Sequence, residues 1–174
     1  MMLQGPGGLS YQPEVYAVTN SPEQVNRDVV VIGGCGHVGL PLALAFADRG
    51  ARVGIYDVSE AAVATVNSGR MPFAEPGADE VLSRMLGAGR LEASADPAIV
   101  ATAEHVIVVI GTPVDEHLNP KQIAITKALG GCSEFLRDGQ LLVLRSTVFP
   151  GVTALVEKMM AKLGREIEVA FCPE

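Results

Sequence analysis

Three glycines spaced by two residues, Gly33, Gly36 and Gly39, follow directly on an apolar run in the segment VVVIGGCGHVGL (residues 29–40). That pattern suits the holding of a diphosphate. A chain that turns sharply and lays its backbone against an anion needs residues without a Cβ at fixed places. The helix behind such a turn then offers free N–H groups and the positive end of its dipole. Glycine-rich turns also serve as plain chain reversals, so the surrounding residues matter. Asp57 stands 18 residues beyond Gly39, at the end of a second apolar run, RVGIY. A carboxylate there accepts hydrogen bonds from the adenosine ribose and repels the extra phosphate of NADP, which predicts NAD. The basic residues nearest to it, Arg49 and Arg52, lie before it rather than in the loop after it. The competing reading of Asp57 is a helix N-cap. Strand, glycine turn and helix in register favour the dinucleotide site.

These groups must be positioned by elements that the apolar pattern lays out in alternation. The sequence predicts strands over 29–32, 52–56, 91–94, 105–110, 141–144 and 167–171. Between them it predicts helices over 40–48, 59–67, 78–86, 122–136 (interrupted by Gly130 and Gly131) and 152–163, with a turn or short helix after Asp96 and Pro97. Six strands with intervening helices imply an α/β fold, a Rossmann-type doubly wound parallel sheet in the order 3-2-1-4-5-6, as a single domain. Residues 1–27, rich in Gly, Pro, Gln, Ser and Asn, read as a flexible N-terminal arm, and 28–174 as the dinucleotide-binding domain.

Ligands of such sheets lie at the carboxyl ends of the strands, so the residues after each strand are the candidates. Gly111, Thr112 and Pro113 follow the fourth strand; Arg145, Ser146, Thr147 and Val148 follow the fifth; Cys172, Pro173 and Glu174 follow the sixth. Each group has a structural reading as cap or turn, but three on one edge favour a site. Thr147 would orient a water or a substrate oxygen and Glu174 would exchange a proton if both face the nicotinamide end.

Bulk composition narrows the function classes. Thirteen Lys and Arg against twenty Asp and Glu give a net charge of −7, with no basic cluster, which argues against nucleic acid. No apolar run approaches the roughly 18 residues that span a bilayer. The first 26 residues hold no Lys or Arg, so neither a membrane helix nor a signal peptide is expected and the reading is cytoplasmic. The three cysteines, Cys35, Cys132 and Cys172, lack a CxxC spacing, and the three histidines are scattered, so no metal is expected.

At this point the chain resembles the N-terminal domain of the UDP-glucose/GDP-mannose dehydrogenase family. The resemblance rests on GHVGLPLA (36–43), Asp57, Asn67-x-Gly69, MPFAEPG (71–77), GTP (111–113), RSTVFPG (145–151) and CPE (172–174), in order. Members are similar in oxidising the C6 hydroxyl of a nucleotide sugar to a carboxylate, passing two hydrides to two NAD molecules through a cysteine-bound thiohemiacetal and thioester. The resemblance implies that Gly33, Cys35, Gly36, His37, Val38 and Gly39 hold the pyrophosphate and Asp57 the adenosine ribose. It further implies that Gly111, Thr112 and Pro113 line the cofactor's middle, and Ser146, Thr147 and Val148 its nicotinamide side. Thr147 and Glu174 take the catalytic roles, with a nucleotide sugar as substrate partner and a homodimer formed through the family's central helix.

Two departures shape the expectation. Counted from Gly33, the turn runs Gly33-x-x-Gly36-x-x-Gly39, one residue longer than the family's usual GxGxxG. The sequence stops at Glu174, so the family's central helix, nucleotide-sugar domain and nucleophilic cysteine motif are expected to be absent. This polypeptide by itself would then bind NAD and turn over nothing. Cys172 reads as an apolar filler at a strand end rather than as the nucleophile. Extended short-chain dehydrogenases share the longer spacing but need Tyr-x-x-x-Lys, which none of Tyr11, Tyr16 or Tyr56 begins. A stand-alone NAD-responsive regulatory module is the alternative outside enzymology.

Overall fold

The structure, a computed structural model, describes residues 26–111, 123–148 and 150–173. The strands are β1 (Arg27–Ile32), β2 (Val53–Tyr56), β3 (Leu91–Ser94), β4 (Ala103–Val108), β5 (Leu141–Leu144) and β6 (Glu168–Phe171). The helices are α1 (Gly39–Asp48), α2 (Glu60–Asn67), α3 (Ala78–Gly87), α4 (Ile123–Gly130) and α5 (Val152–Lys162). All strand pairings are parallel and the sheet order is β3-β2-β1-β4-β5-β6, as the alternation predicts.

Both faces of the central strands are covered, which is why β1 reads as an uninterrupted apolar run. Val30, Ile32, Val106, Val108, Leu142 and Leu144 point to one side, where they meet Leu129, Val156 and Met160. Val29, Val31, Val53, Ile55 and Ile107 point to the other, against Leu40, Ala43, Leu44, Val66 and Leu82. The strand period of two thus splits one sheet into two cores.

Several boundaries differ from the sequence reading. β1 begins at Arg27, inside the segment read as an arm, because Arg27 pairs with Ala103 and its guanidinium meets Glu92 and Thr102. The remainder of that arm, residues 1–25, lies outside the described residues. β4 sits two residues earlier than expected: Ile32, the last residue of β1, pairs with Val108, and the next bond, Val109 N–H to the Ile32 carbonyl at 2.9 Å, closes the ladder. Val109 and Ile110 are thereby freed to form part of the site described below. α4 ends at Gly130 rather than 136, and the chain continues through a short 3-10 turn at Ser133–Phe135. Gln140, only 2% exposed, then anchors the approach to β5. Its Nε2 donates to the carbonyls of Val100 (3.0 Å) and Ala103 (2.8 Å), and its Oε1 accepts from Arg137 N–H at 2.7 Å. Cys172 is exposed, not an apolar filler, because it follows the edge strand of the sheet.

Candidate functional site

Strand order reverses between β1 and β4, and the glycine turn occupies the gap at their carboxyl ends. Its glycines have separate duties. Gly33 adopts φ +76°, and a Cβ there would lie 2.1 Å from the Val109 carbonyl oxygen. A Cβ on Gly34 would lie 2.8 Å from an Ile55 methyl group, and one on Gly39 would lie 2.6 Å from the Gly33 oxygen. Gly36 is different: it is exposed, and its nearest neighbour would be 3.6 Å away. The fold itself does not require a glycine at 36, so the space beside it is left for something else.

This assignment corrects the expected spacing. Gly34-Cys35-Gly36-His37-Val38-Gly39 is itself a GxGxxG, with Gly33 as an additional glycine in front. The three duties of that pattern, tight turn, close approach and helix packing, fall on Gly34, Gly36 and Gly39. Counting from Gly34 would have shown this in the sequence.

Helix α1 starts behind the turn with no side-chain cap at Val38 and no acid in its first turn. The amides of His37 and Val38 donate no hydrogen bond among the described residues. An anion would satisfy them and meet the positive end of the helix dipole. On the β2 side Asp57 is half-buried; its Oδ2 accepts the Cys35 amide at 3.1 Å and its Oδ1 the Ser59 amide at 3.0 Å. The N-cap of α2 is Ser59, whose hydroxyl accepts from Ala62 N–H at 3.3 Å, so Asp57 is not that cap.

On the β4 side the turn borders a cleft of about 210 Å³ lined by Gly36, Val38, Gly39, Ile110, Gly111 and Ser146, with Val109, Arg145 and Thr147 completing it. Ser146 is buried, and its hydroxyl accepts the Ile110 amide at 2.8 Å, which joins the two strand ends that form the wall. Thr147 is exposed on the rim and Val148 packs against the core below it. The sequence reading quoted Arg145 but assigned it no role. It lines the cleft as a cation, donating to the Cys172 carbonyl at 3.2 Å, and its place as the first residue after β5 was the signal. Phe73 was also passed over as a site residue; its ring stacks on His37 with centroids 4.1 Å apart. Thr112, Pro113 and Glu174 lie outside the described residues.

Cys35 and Cys132 are buried free thiols. Burial, reinforced by the charge of Asp57, pushes Cys35 up to about 12, and burial pushes Cys132 up to about 11. Among the described residues no three His, Cys, Asp or Glu side chains gather as a metal site, and no helix is long and apolar enough to cross a membrane.

A parallel sheet with a GxGxxG turn at its reversal point and an acid ending β2 defines a dinucleotide-binding Rossmann domain. The pattern of the UDP-glucose/GDP-mannose dehydrogenase family, NAD binding domain, matches residues 27–174, and the chain belongs to that family. A UDP-N-acetyl-D-mannosamine dehydrogenase of Methanococcus aeolicus is 30% identical over 156 residues, covering 87% of this chain and 34% of that protein. An NDP-N-acetyl-D-galactosaminuronic acid dehydrogenase of Ralstonia nicotianae is 30% identical over 160 residues, covering 85% and 37%. Among solved structures, the UDP-D-ManNAc dehydrogenase of Pyrococcus horikoshii aligns with a TM-score of 0.78 at 28% identity, over 84% of this chain and 36% of that one. A UDP-glucose dehydrogenase of Pyrobaculum islandicum aligns at 0.77 and 31%, over 88% and 37%. The chain therefore spans about a third of the length of the curated relatives it matches.

The residues present fit NAD on three counts: open space at Gly36, amides at His37 and Val38 that are unpaired among the described residues, and an acid rather than a base after β2.

Proposed function

We propose that residues 1–174 form the cofactor half of a nucleotide-sugar 6-dehydrogenase, which oxidises the C6 alcohol of the sugar to a carboxylate. The family match over residues 27–174 carries the chemistry of this reading, and the Asp57 carboxylate bonded into the glycine turn at Cys35, which ties a ribose site to a diphosphate site, supports its cofactor. NAD, when bound, supplies the hydride acceptor, and oxidation of an alcohol to an acid takes two of them. The amides of His37 and Val38 hold the diphosphate, and Asp57 accepts from the adenosine ribose. Gly111, Thr112 and Pro113 flank the cofactor's middle. Ser146 fixes the wall on the nicotinamide side, where Thr147 orients a water or the substrate oxygen. Arg145 adds a positive charge to that wall, and Glu174 exchanges a proton near the sugar.

Two of the three thiols agree with a division of labour within this reading. Cys35 and Cys132 are held as neutral thiols by burial, so neither serves as the nucleophile at neutral pH. The 174 residues by themselves bind NAD without oxidising a nucleotide sugar, and turnover belongs to a protein that adds the family's substrate half. The relatives named for UDP-N-acetyl-D-mannosamine make UDP-N-acetylhexosamines the first substrates to try. The test is a panel of UDP-N-acetylhexosamines, UDP-glucose and GDP-mannose offered with NAD to the 174-residue chain and to a parent protein that joins it to the family's substrate half. NADH formation by the parent alone agrees with the proposal. Formation by the 174 residues would remove the division of labour, and none by either, with NAD bound, would remove the nucleotide-sugar assignment.

A further inference from the structure

We propose that His37 is a positioning residue: its stack on Phe73 holds the 36–38 turn in the shape that receives a diphosphate and couples segment 68–77 to NAD binding. This rests on the NAD reading of the turn and goes beyond it, because it gives a purpose to the MPFAEPG segment, which no part of the reading above uses.

The rings lie 4.1 Å apart and 20° from parallel, with His37 exposed and Phe73 half-buried, so the contact sits at the surface rather than in a core. Phe73 is presented by a braced frame. At the end of α2, Asn67 Nδ2 donates to the Ala93 carbonyl at 2.8 Å, and the Ala93 amide donates back to Asn67 Oδ1 at 3.1 Å. Those two bonds pin the segment's start to β3. The Ser83 hydroxyl then donates to the Gly69 carbonyl at 3.3 Å, and the Met71 amide donates to Asp79 Oδ1 at 2.7 Å, pinning it to α3. Met71 and Phe73 both pack on the core beneath α1.

The other partner stands where support is scarce. Cys35 is tied to Asp57, Gly39 is wedged against Gly33, and the Gly36 and Val38 carbonyls accept from Leu40 and Leu42 at 3.0 and 3.2 Å; between them Gly36 donates only a long 3.4 Å bond to Gly33, and the His37 backbone makes no hydrogen bond among the described residues. The imidazole of His37 makes no hydrogen bond among the described residues, so stacking is what orients it. Fixing this stretch before a ligand arrives lowers the ordering cost of binding. By reciprocity, bound NAD must tighten the segment that carries Phe73.

The test uses His37→Ala, Phe73→Ala, the double variant and His37→Phe, with calorimetry for NAD, amide exchange over 34–40 and 68–77, and thermal melting. Either alanine should weaken NAD about three- to tenfold and abolish the slowing that bound NAD imposes on the hydrogen-bonded Gly69 and Met71 amides, with melting little changed in His37→Ala. The double variant should be no weaker than the worse single one, and His37→Phe should restore affinity. Wild-type affinity in both alanine variants would overturn the proposal, as would an equal loss in His37→Phe. Failure of the wild-type domain to bind NAD would sink the NAD reading instead; exchange at the bonded Gly69 and Met71 amides would then decide, faster in His37→Ala supporting the coupling and unchanged refuting it.

Discussion

Asp57 and Cys35 are joined through a 3.1 Å hydrogen bond from the Cys35 amide to Asp57 Oδ2, so the acid at the end of β2 and the turn at the end of β1 form one unit. The other oxygen, Oδ1, accepts from Ser59. A carboxylate offers about four lone-pair positions, which leaves two for the hydroxyls of a ribose. The same side chain therefore shapes the turn and keeps two acceptor positions for the ribose that the proposed function places beside it.

Two glycine substitutions should separate ligand space from fold space. Gly36→Ala meets nothing closer than 3.6 Å, so it should melt like the wild type yet lose NAD affinity by about tenfold or more, its methyl occupying the diphosphate's place. Gly39→Ala drives a methyl to 2.6 Å from a backbone oxygen and should cost about 1–3 kcal/mol of stability. Thermal melts beside NAD titrations read both. A destabilised Gly36→Ala would mean that the fold, not a ligand, demands that glycine.

Neighbouring hydroxyls should behave differently. Ser146→Ala leaves the Ile110 amide without its acceptor in a buried wall and should cost about 1–3 kcal/mol in a urea melt. Thr147→Ala, on the exposed rim, should stay within about 0.5 kcal/mol of the wild type while lowering turnover in the parent enzyme. Unchanged parent kinetics would return Thr147 to a turn residue.

Thiol burial sets an alkaline limit. The folded values of Cys35 and Cys132 lie at about 12 and about 11, above the roughly 8.5 of an unfolded thiol. The unfolded state thus releases its protons first as pH rises. This contribution to stability is intact below about pH 8.5 and falls progressively toward 11 and 12. Urea midpoints should drop between pH 8 and 10, and less steeply in Cys35→Ala. At neutral pH iodoacetamide should label the exposed Cys172 well ahead of the other two.

Much of this was legible in the residues because the signals were local. Uninterrupted β-formers before a glycine turn marked β1, and Asp57 was found by its distance from that turn. Strand edges were set by pairing, which a single strand's pattern does not carry: β4 was displaced by two residues because β1 ends at Ile32. Gln140 was missed because its three bonds reach Val100, Ala103 and Arg137 through space, and a lone glutamine in a turn advertises none of them. The offset of the glycine frame was an ambiguity among three closely spaced glycines, Gly33, Gly34 and Gly36. Counting from Gly34 resolves it, and the differing surroundings of the three glycines agree.

Selection of NAD by one carboxylate at this turn is read out by calorimetric titration of the wild type and Asp57→Ala with NAD and NADP. The account predicts NAD binding by the wild type with NADP far weaker, and an affinity for NAD about ten- to a hundredfold lower in Asp57→Ala, the loss of charge-assisted hydrogen bonds. Equal binding of the two cofactors by the wild type, or undiminished NAD binding by Asp57→Ala, would contradict it.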